Sequence, residues 1–173
     1  MVRCHRKKYE NVKFAFKILG DDESIQRNHQ FAKCHMIFDV KIDNLIQKAR
    51  LVSGGHTEKA PNMVTYAIVI SSETFHIYLT IAALNDPHVK CGDVLNAYIT
   101  STVMELIWTT LSPKFGNDQG KMAIFFHTLY GLKSSVTAFR KHLGECMSGL
   151  SYKPCLADPN IWLKPEVRDN GVE

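Results

Sequence analysis

Long apolar runs are missing from this chain. Nowhere do about 18 consecutive apolar residues occur, the length a membrane-spanning helix needs, and no apolar stretch follows the basic residues at the N-terminus. The expectation is an intracellular chain, neither secreted nor inserted in a membrane. Paired cysteines are missing too. Cys4, Cys34, Cys91, Cys146 and Cys155 are odd in number and widely scattered, with no Cys-x-x-Cys pair and no paired His spacing, so neither a disulfide framework nor a zinc site is expected. Charge of one sign does not dominate: 21 Lys and Arg face 17 Asp and Glu, a net +4 that suits a polyanionic partner without requiring one. Internal repeats and low-complexity segments are absent. What is present, 173 residues with 45% hydrophobic and 22% charged, is enough for a buried core and about one domain.

Taken in order, residues 1–10 hold Arg3, His5, Arg6, Lys7 and Lys8, a basic leader that reads either as a phosphate-contacting or import segment or as a solvated tail. From Asn11 to Leu19 apolar residues alternate with lysines, the pattern of a strand with one wet face. Lys33–Lys41 alternates again, with Cys34, Met36, Phe38 and Val40 on one side. Gln47–Ser53 follows as a second strand, and Asp43-Asn44 supplies the turn of an antiparallel hairpin. The period of two sets Lys48 and Arg50 on one face. Two cations side by side suit a triphosphate or nucleic-acid backbone, Arg through its planar fork and Lys as a point charge; a solvated strand face is the plainer reading. Gly54-Gly55 reads as a turn.

A helix is expected from Ser71 or Ser72, with Glu73 in its first turn and Phe75, Tyr78, Leu79 and Ala82 facing inward. Ile77, Ile81 and Leu84 make it apolar nearly all round, which predicts burial on more than one side, and Asn85-Asp86-Pro87 ends it. Val103–Leu111 fits helix or strand, Ser112–Gly120 is a loop, and Lys121–Leu132 reads as an apolar strand. Ser134-Ser135 caps a second helix with a stripe of Phe139, Leu143, Cys146, Met147 and Leu150. Ile161-Trp162-Leu163 is a short strand.

Between the first helix and Val103 lies Lys90–Thr100, Lys-Cys-Gly-Asp-Val-Leu-Asn-Ala-Tyr-Ile-Thr, which holds one acid in an apolar run. Asp93 is expected either at the end of a buried strand with its carboxylate facing a cleft or a metal, because an isolated buried charge is costly, or as a cap on the helix or turn beginning at Asn96.

The order of these features resembles the reverse transcriptase of copia-type retrotransposons, over a match from about Asn11 to the end of the chain. Lys48-Ala49-Arg50-Leu51-Val52 looks like that family's fingers strand and Asp93-Val94-Leu95-Asn96-Ala97-Tyr98 like its first catalytic motif. Leu129-Tyr130-Gly131-Leu132-Lys133 and Asp158-Pro159-Asn160-Ile161-Trp162 look like the next two blocks in order. The resemblance implies an α+β fold: right-hand polymerase fingers with an antiparallel hairpin, and an incomplete palm in which a sheet packs on helices. It implies RNA-directed DNA polymerisation on an RNA or DNA template-primer with deoxynucleotides. Asp93 would be the first metal-binding carboxylate, with the Val94 carbonyl as a further magnesium ligand. Tyr98 would lie under the incoming sugar and leave no room for a 2′-hydroxyl. Arg50 and Lys48 would hold the triphosphate, and Tyr130 and Gly131 would line the pocket beside the template base. The complete enzyme uses two magnesium ions about 4 Å apart.

The departures are as definite. Asn96 stands where related polymerases outside the copia group often have an acid, Val136 stands where the family usually has proline, and the family's second acidic pair, a Tyr-Val-Asp-Asp turn, does not occur before Glu173. Residues 11–173 therefore read as a partial fingers and palm region. At most one magnesium ion would be held, weakly, and the isolated chain is expected to be inactive. A non-catalytic nucleic-acid or protein-interaction module reusing the fold is the alternative. Self-association, or pairing with other polyprotein segments, is expected of the unpaired sheet edges, and the cellular site would be the cytoplasm, a virus-like particle or the nucleus.

Overall fold

The computed structural model describes residues 14–40, 42, 45, 47–55, 65–66, 69–85, 89–165, 167–168 and 171–172. The basic leader, Asp43-Asn44 and Asp86-Pro87 lie outside the described residues. The architecture is α+β, as expected. Ten short strands run in chain order: β1 (Phe16–Ile18), β2 (Gln30–Phe31), β3 (Cys34–Val40), β4 (Gln47–Ser53), β5 (Ile107–Thr110), β6 (Met122–Phe125), β7 (Lys153–Pro154), β8 (Trp162–Leu163), β9 (Val167–Arg168) and β10 (Gly171–Val172). Two α-helices, α1 (Ser72–Asn85) and α2 (Ser135–Gly149), and two 3₁₀ segments, Ala97–Thr100 and Pro113–Asp118, complete the described elements. None of these helices is long and apolar enough to cross a membrane.

The chain divides into two compact units. The first joins residues 1–65 to 96–139. Its four-stranded sheet has the order β1-β6-β5-β2, antiparallel except for the parallel β2–β5 pair. Alternation decides which face is dry: Phe16, Ile107, Thr109, Ala123 and Phe125 are buried, while Lys17, Thr110 and Met122 are exposed. Phe16 meets Phe115 and Phe125 edge-on at 5.9 and 5.0 Å between ring centres, and Ala15, Leu51, Ile99, Leu111, Leu129 and Leu132 close the core. Val103–Leu111 thus resolves into β5, the loop after it holds a 3₁₀ segment, and the strand expected over Lys121–Leu132 is confined to β6.

The β3–β4 hairpin is antiparallel with Cys34 opposite Ser53 and Val40 opposite Gln47. In β4, Ala49, Leu51 and Ser53 are buried while Lys48, Arg50 and Val52 stay half-buried on the other face.

The second unit joins residues 66–95 to 140–173. Helix α1 begins where expected. The Ser71 hydroxyl accepts the Thr74 N–H at 3.1 Å, and Phe75 N–H donates to the Ser71 carbonyl at 3.0 Å. Its burial departs from the expectation: α1 has no buried residue, with Ile77 59% and Leu84 79% exposed. An apolar helix all round signals multiple partners only where other elements reach it. The stripe on α2 is likewise only partly covered, Cys146 and Leu150 being exposed. Gly144 lies against Trp162 of β8, where a Cβ would stand 3.3 Å from the indole.

Candidate nucleotide-binding surface

Five of the seven residues singled out from the sequence fall in the first unit: Lys48, Arg50, Tyr98, Tyr130 and Gly131. What gathers them is a strand edge. β4 pairs with β3 on one side, and its end pairs with Tyr130 on the other through a parallel bridge between Val52 and Tyr130. Ser53 N–H donates to the Tyr130 carbonyl at 2.7 Å. Bridged residues in a parallel pair project to the same face, so Tyr130 stands on the side carrying Val52, Arg50 and Lys48.

Tyr130 meets Tyr98 edge-on with 4.7 Å between ring centres, and Tyr98 meets Phe139 of α2 at 6.1 Å. Tyr98 belongs to the 3₁₀ segment Ala97–Thr100, which follows Asn96 in the left-handed region at φ 55°. Asn and Asp tolerate that conformation better than most residues. The Tyr98 carbonyl then accepts three hydrogen bonds, from Ser101 N–H at 3.1 Å, from the Ser101 hydroxyl at 2.9 Å and from the Thr128 hydroxyl. Ser101 and Thr128 are buried, and their hydroxyl oxygens stand 2.9 Å apart.

The loop after Tyr130 is pinned from the opposite side. Ser135 donates its hydroxyl to the Leu129 carbonyl, and Ser134 donates to Glu105 Oε2 at 2.8 Å. The Ser134 carbonyl accepts the first helical bond, from Ala138 N–H at 2.9 Å. The pair expected as a plain cap therefore holds the Tyr130 loop as well as starting α2.

The cations are not unopposed. Arg50 Nη1 lies 3.9 Å from Asp39 Oδ2, a long, partly exposed ion pair across the hairpin. Lys114 Nζ sits 4.1 Å over the Phe38 ring of β3, a cation–π contact.

Asp93 and Val94 belong to the second unit. The buried strand expected to carry Asp93 is not formed: residues 89–94 have no regular structure and are exposed. Nor does Asp93 cap the 3₁₀ segment, whose N-terminal position is Asn96 without a side-chain bond. A run of apolar residues forms a buried strand only when paired, and Val94 is 52% and Leu95 82% exposed. Among the described residues no three His, Cys, Asp or Glu side chains gather as a metal site. These residues do not fit a two-magnesium centre.

Sequence reasoning missed Gly55, Thr128 and Ser101. Gly55, which the sequence marks with Gly54 as a turn, abuts the Gly131 main chain; a glycine two residues past a strand, facing a second glycine distant in sequence, is the signature of close backbone approach. The buried hydroxyls left no pattern to read.

A family model described as reverse transcriptase (RNA-dependent DNA polymerase) matches residues 24–170. The chain belongs to the reverse transcriptase family. Membership in the reverse transcriptase family carries nucleic-acid template and nucleotide as general partner classes, and the Lys48–Arg50 face with its aromatic neighbours lies inside the matched range. No curated protein and no solved structure matches the chain.

Proposed function

We propose that this chain is the fingers and partial palm of a copia-type retrotransposon reverse transcriptase, and that its first unit provides the surface that grips the incoming deoxynucleotide and the template strand. The observation that carries the reading is the parallel bridge between Val52 and Tyr130, which sets two cations and two tyrosines on one surface. Arg50 and Lys48 hold the triphosphate by charge-assisted bonds. Tyr98, locked through its carbonyl, packs under the sugar and excludes a 2′-hydroxyl, while Tyr130 and Gly131 sit beside the template base. Asp93, with the Val94 carbonyl, is assigned to magnesium by its place in the motif alone. This chain carries no Tyr-Val-Asp-Asp pair and by itself does not polymerise, because in-line displacement requires charge neutralisation on both the attacking and leaving oxygens.

The test has two parts. A single-stranded oligonucleotide should bind the chain without sequence preference, with affinity falling as salt rises at a log–log slope of about −1.4 if two phosphates are neutralised. Affinity that ignores both salt and Arg50→Ala removes the surface. Primer extension on an RNA template should be absent for this chain and present in a version extended through the acidic pair; extension that survives Asp93→Asn in that version removes the catalytic assignment.

A further inference from the structure

Gly55 and Gly131 meet main chain to main chain. A Cβ on Gly55 would stand 2.0 Å from the Gly131 carbonyl oxygen, and one on Gly131 would stand 2.0 Å from the Ser53 carbonyl oxygen and 2.8 Å from Val52 Cγ1. Both nearest obstacles are main-chain oxygens, so no change of side-chain rotamer relieves them. Gly131 also has φ +91°, a conformation that side-chain-bearing residues rarely adopt. Gly55 has no such backbone requirement. Its constraint is the space that the Gly131–Leu132 main chain occupies.

That contact lies two residues beyond Ser53, whose N–H bonds the Tyr130 carbonyl at 2.7 Å. Arg50 lies three residues back along the same strand, about 10 Å away at the usual rise. A Cβ at position 55 must stand at least 3.0 Å from that oxygen and not 2.0 Å, so the end of β4 and the Gly131 main chain must move apart. The cations would then shift relative to Tyr130 and Tyr98, which are anchored separately through Ser135 and through Thr128 and Ser101.

We propose that Gly55 is a positioning residue for the nucleotide surface: by letting β4 seat directly on Gly131, it sets the span between the triphosphate-holding cations and the tyrosines that receive the sugar and base. This deepens the reading above and rests on it. The consequence is specific to ligands that engage both ends. A nucleoside triphosphate needs the span, whereas inorganic tripolyphosphate needs only Lys48 and Arg50.

The experiment is equilibrium binding of dATP and of inorganic tripolyphosphate to the whole chain, for the unaltered protein and for Gly55→Ala, Arg50→Ala and Gly20→Ala, the last a glycine with open space around it. Gly55→Ala should weaken dATP about tenfold, since misplacement near 1 Å is costly, and leave tripolyphosphate unchanged. Arg50→Ala should weaken both ligands, and Gly20→Ala neither. If Arg50→Ala weakens dATP but Gly55→Ala does not, the positioning role is overturned and the nucleotide surface stands. Equal weakening of both ligands by Gly55→Ala also overturns it, as general damage to the hairpin. If Arg50→Ala leaves dATP binding intact, the surface itself is wrong and the positioning role falls with it. A Gly55→Ala chain that does not fold shifts the test to the unaltered protein, where the Ser53 amide should be protected from hydrogen exchange; exchange at the unprotected rate overturns the junction.

Discussion

Three donors converge on the Tyr98 carbonyl, two of them the hydroxyls of buried Ser101 and Thr128. Thr128→Val keeps the shape and removes one donor. It should cost about 1–2 kcal/mol in urea unfolding, and a cost near zero would mean that the carbonyl is held without it. In a version extended through the acidic pair, Tyr98→Ala should relax discrimination against ribonucleotides; an unchanged incorporation ratio would remove the steric role. Asp39 acts in the opposite sense. Its carboxylate lies 3.9 Å from Arg50 and would compete with a phosphate held there as proposed, so Asp39→Asn should tighten dATP binding about threefold, within the range of partly exposed ion pairs. Weaker binding would show that Asp39 orients Arg50 more than it neutralises it.

Elements were legible where local chemistry decides. β4 spans Gln47–Ser53 as its alternation predicted, and Ser71 caps α1 through its own hydroxyl. Partners at long range were not. The parallel pairing of β2 with β5 joins residues 30–31 to 107–108, and no period in either segment encodes it. The same limit explains Asp93: apolarity suggested a strand, but a strand exists only with a neighbour, and Val94 and Leu95 have found none among the described residues. For the candidate surface, motif order singled out Lys48, Arg50, Tyr98 and Tyr130, while the hydroxyls and the Gly55 contact beside them depend on tertiary approach. The exposure of α1 is itself testable. Ile77→Ser and Leu84→Ser should each change stability by less than about 0.5 kcal/mol, while Leu129→Ala, at 1% exposure, should cost about 2–5 kcal/mol. A large loss at Ile77 would mean that the helix is covered.

One acid ties the second unit together. The Asp158 carboxylate is held below its ordinary value of 3.8, first by the Asn160 N–H at 2.9 Å and further by the Asn160 side chain, the Thr74 hydroxyl and the Ser71 N–H. The turn leading into β8 thus places a negative charge at the N-terminus of α1, where the helix dipole favours it. A depressed pKa contributes stability above the unfolded value, and that contribution is lost as pH falls through the folded one. Unfolding free energy measured from pH 5 downward should therefore drop more steeply through and below 3.8 in the unaltered chain than in Asp158→Asn; parallel curves would deny the link. Glu23, held low by the Gly20 N–H and by Lys17, adds to the acid sensitivity of both chains alike.

The sheet of the first unit has a consequence for how the molecule comes into being. Its outer strands are the first made, yet Phe16 waits for Phe125 and Gln30 for Ile107. During synthesis β1 and β2 leave the ribosome with no permanent neighbour, and β3–β4 is the one described sheet able to close early. Pairings so distant in sequence form slowly and leave apolar surface open meanwhile. Nascent chains arrested before Met122 should be cut readily near Phe16 by a protease and show a stable hairpin, whereas chains released beyond Phe125 should become resistant at that site.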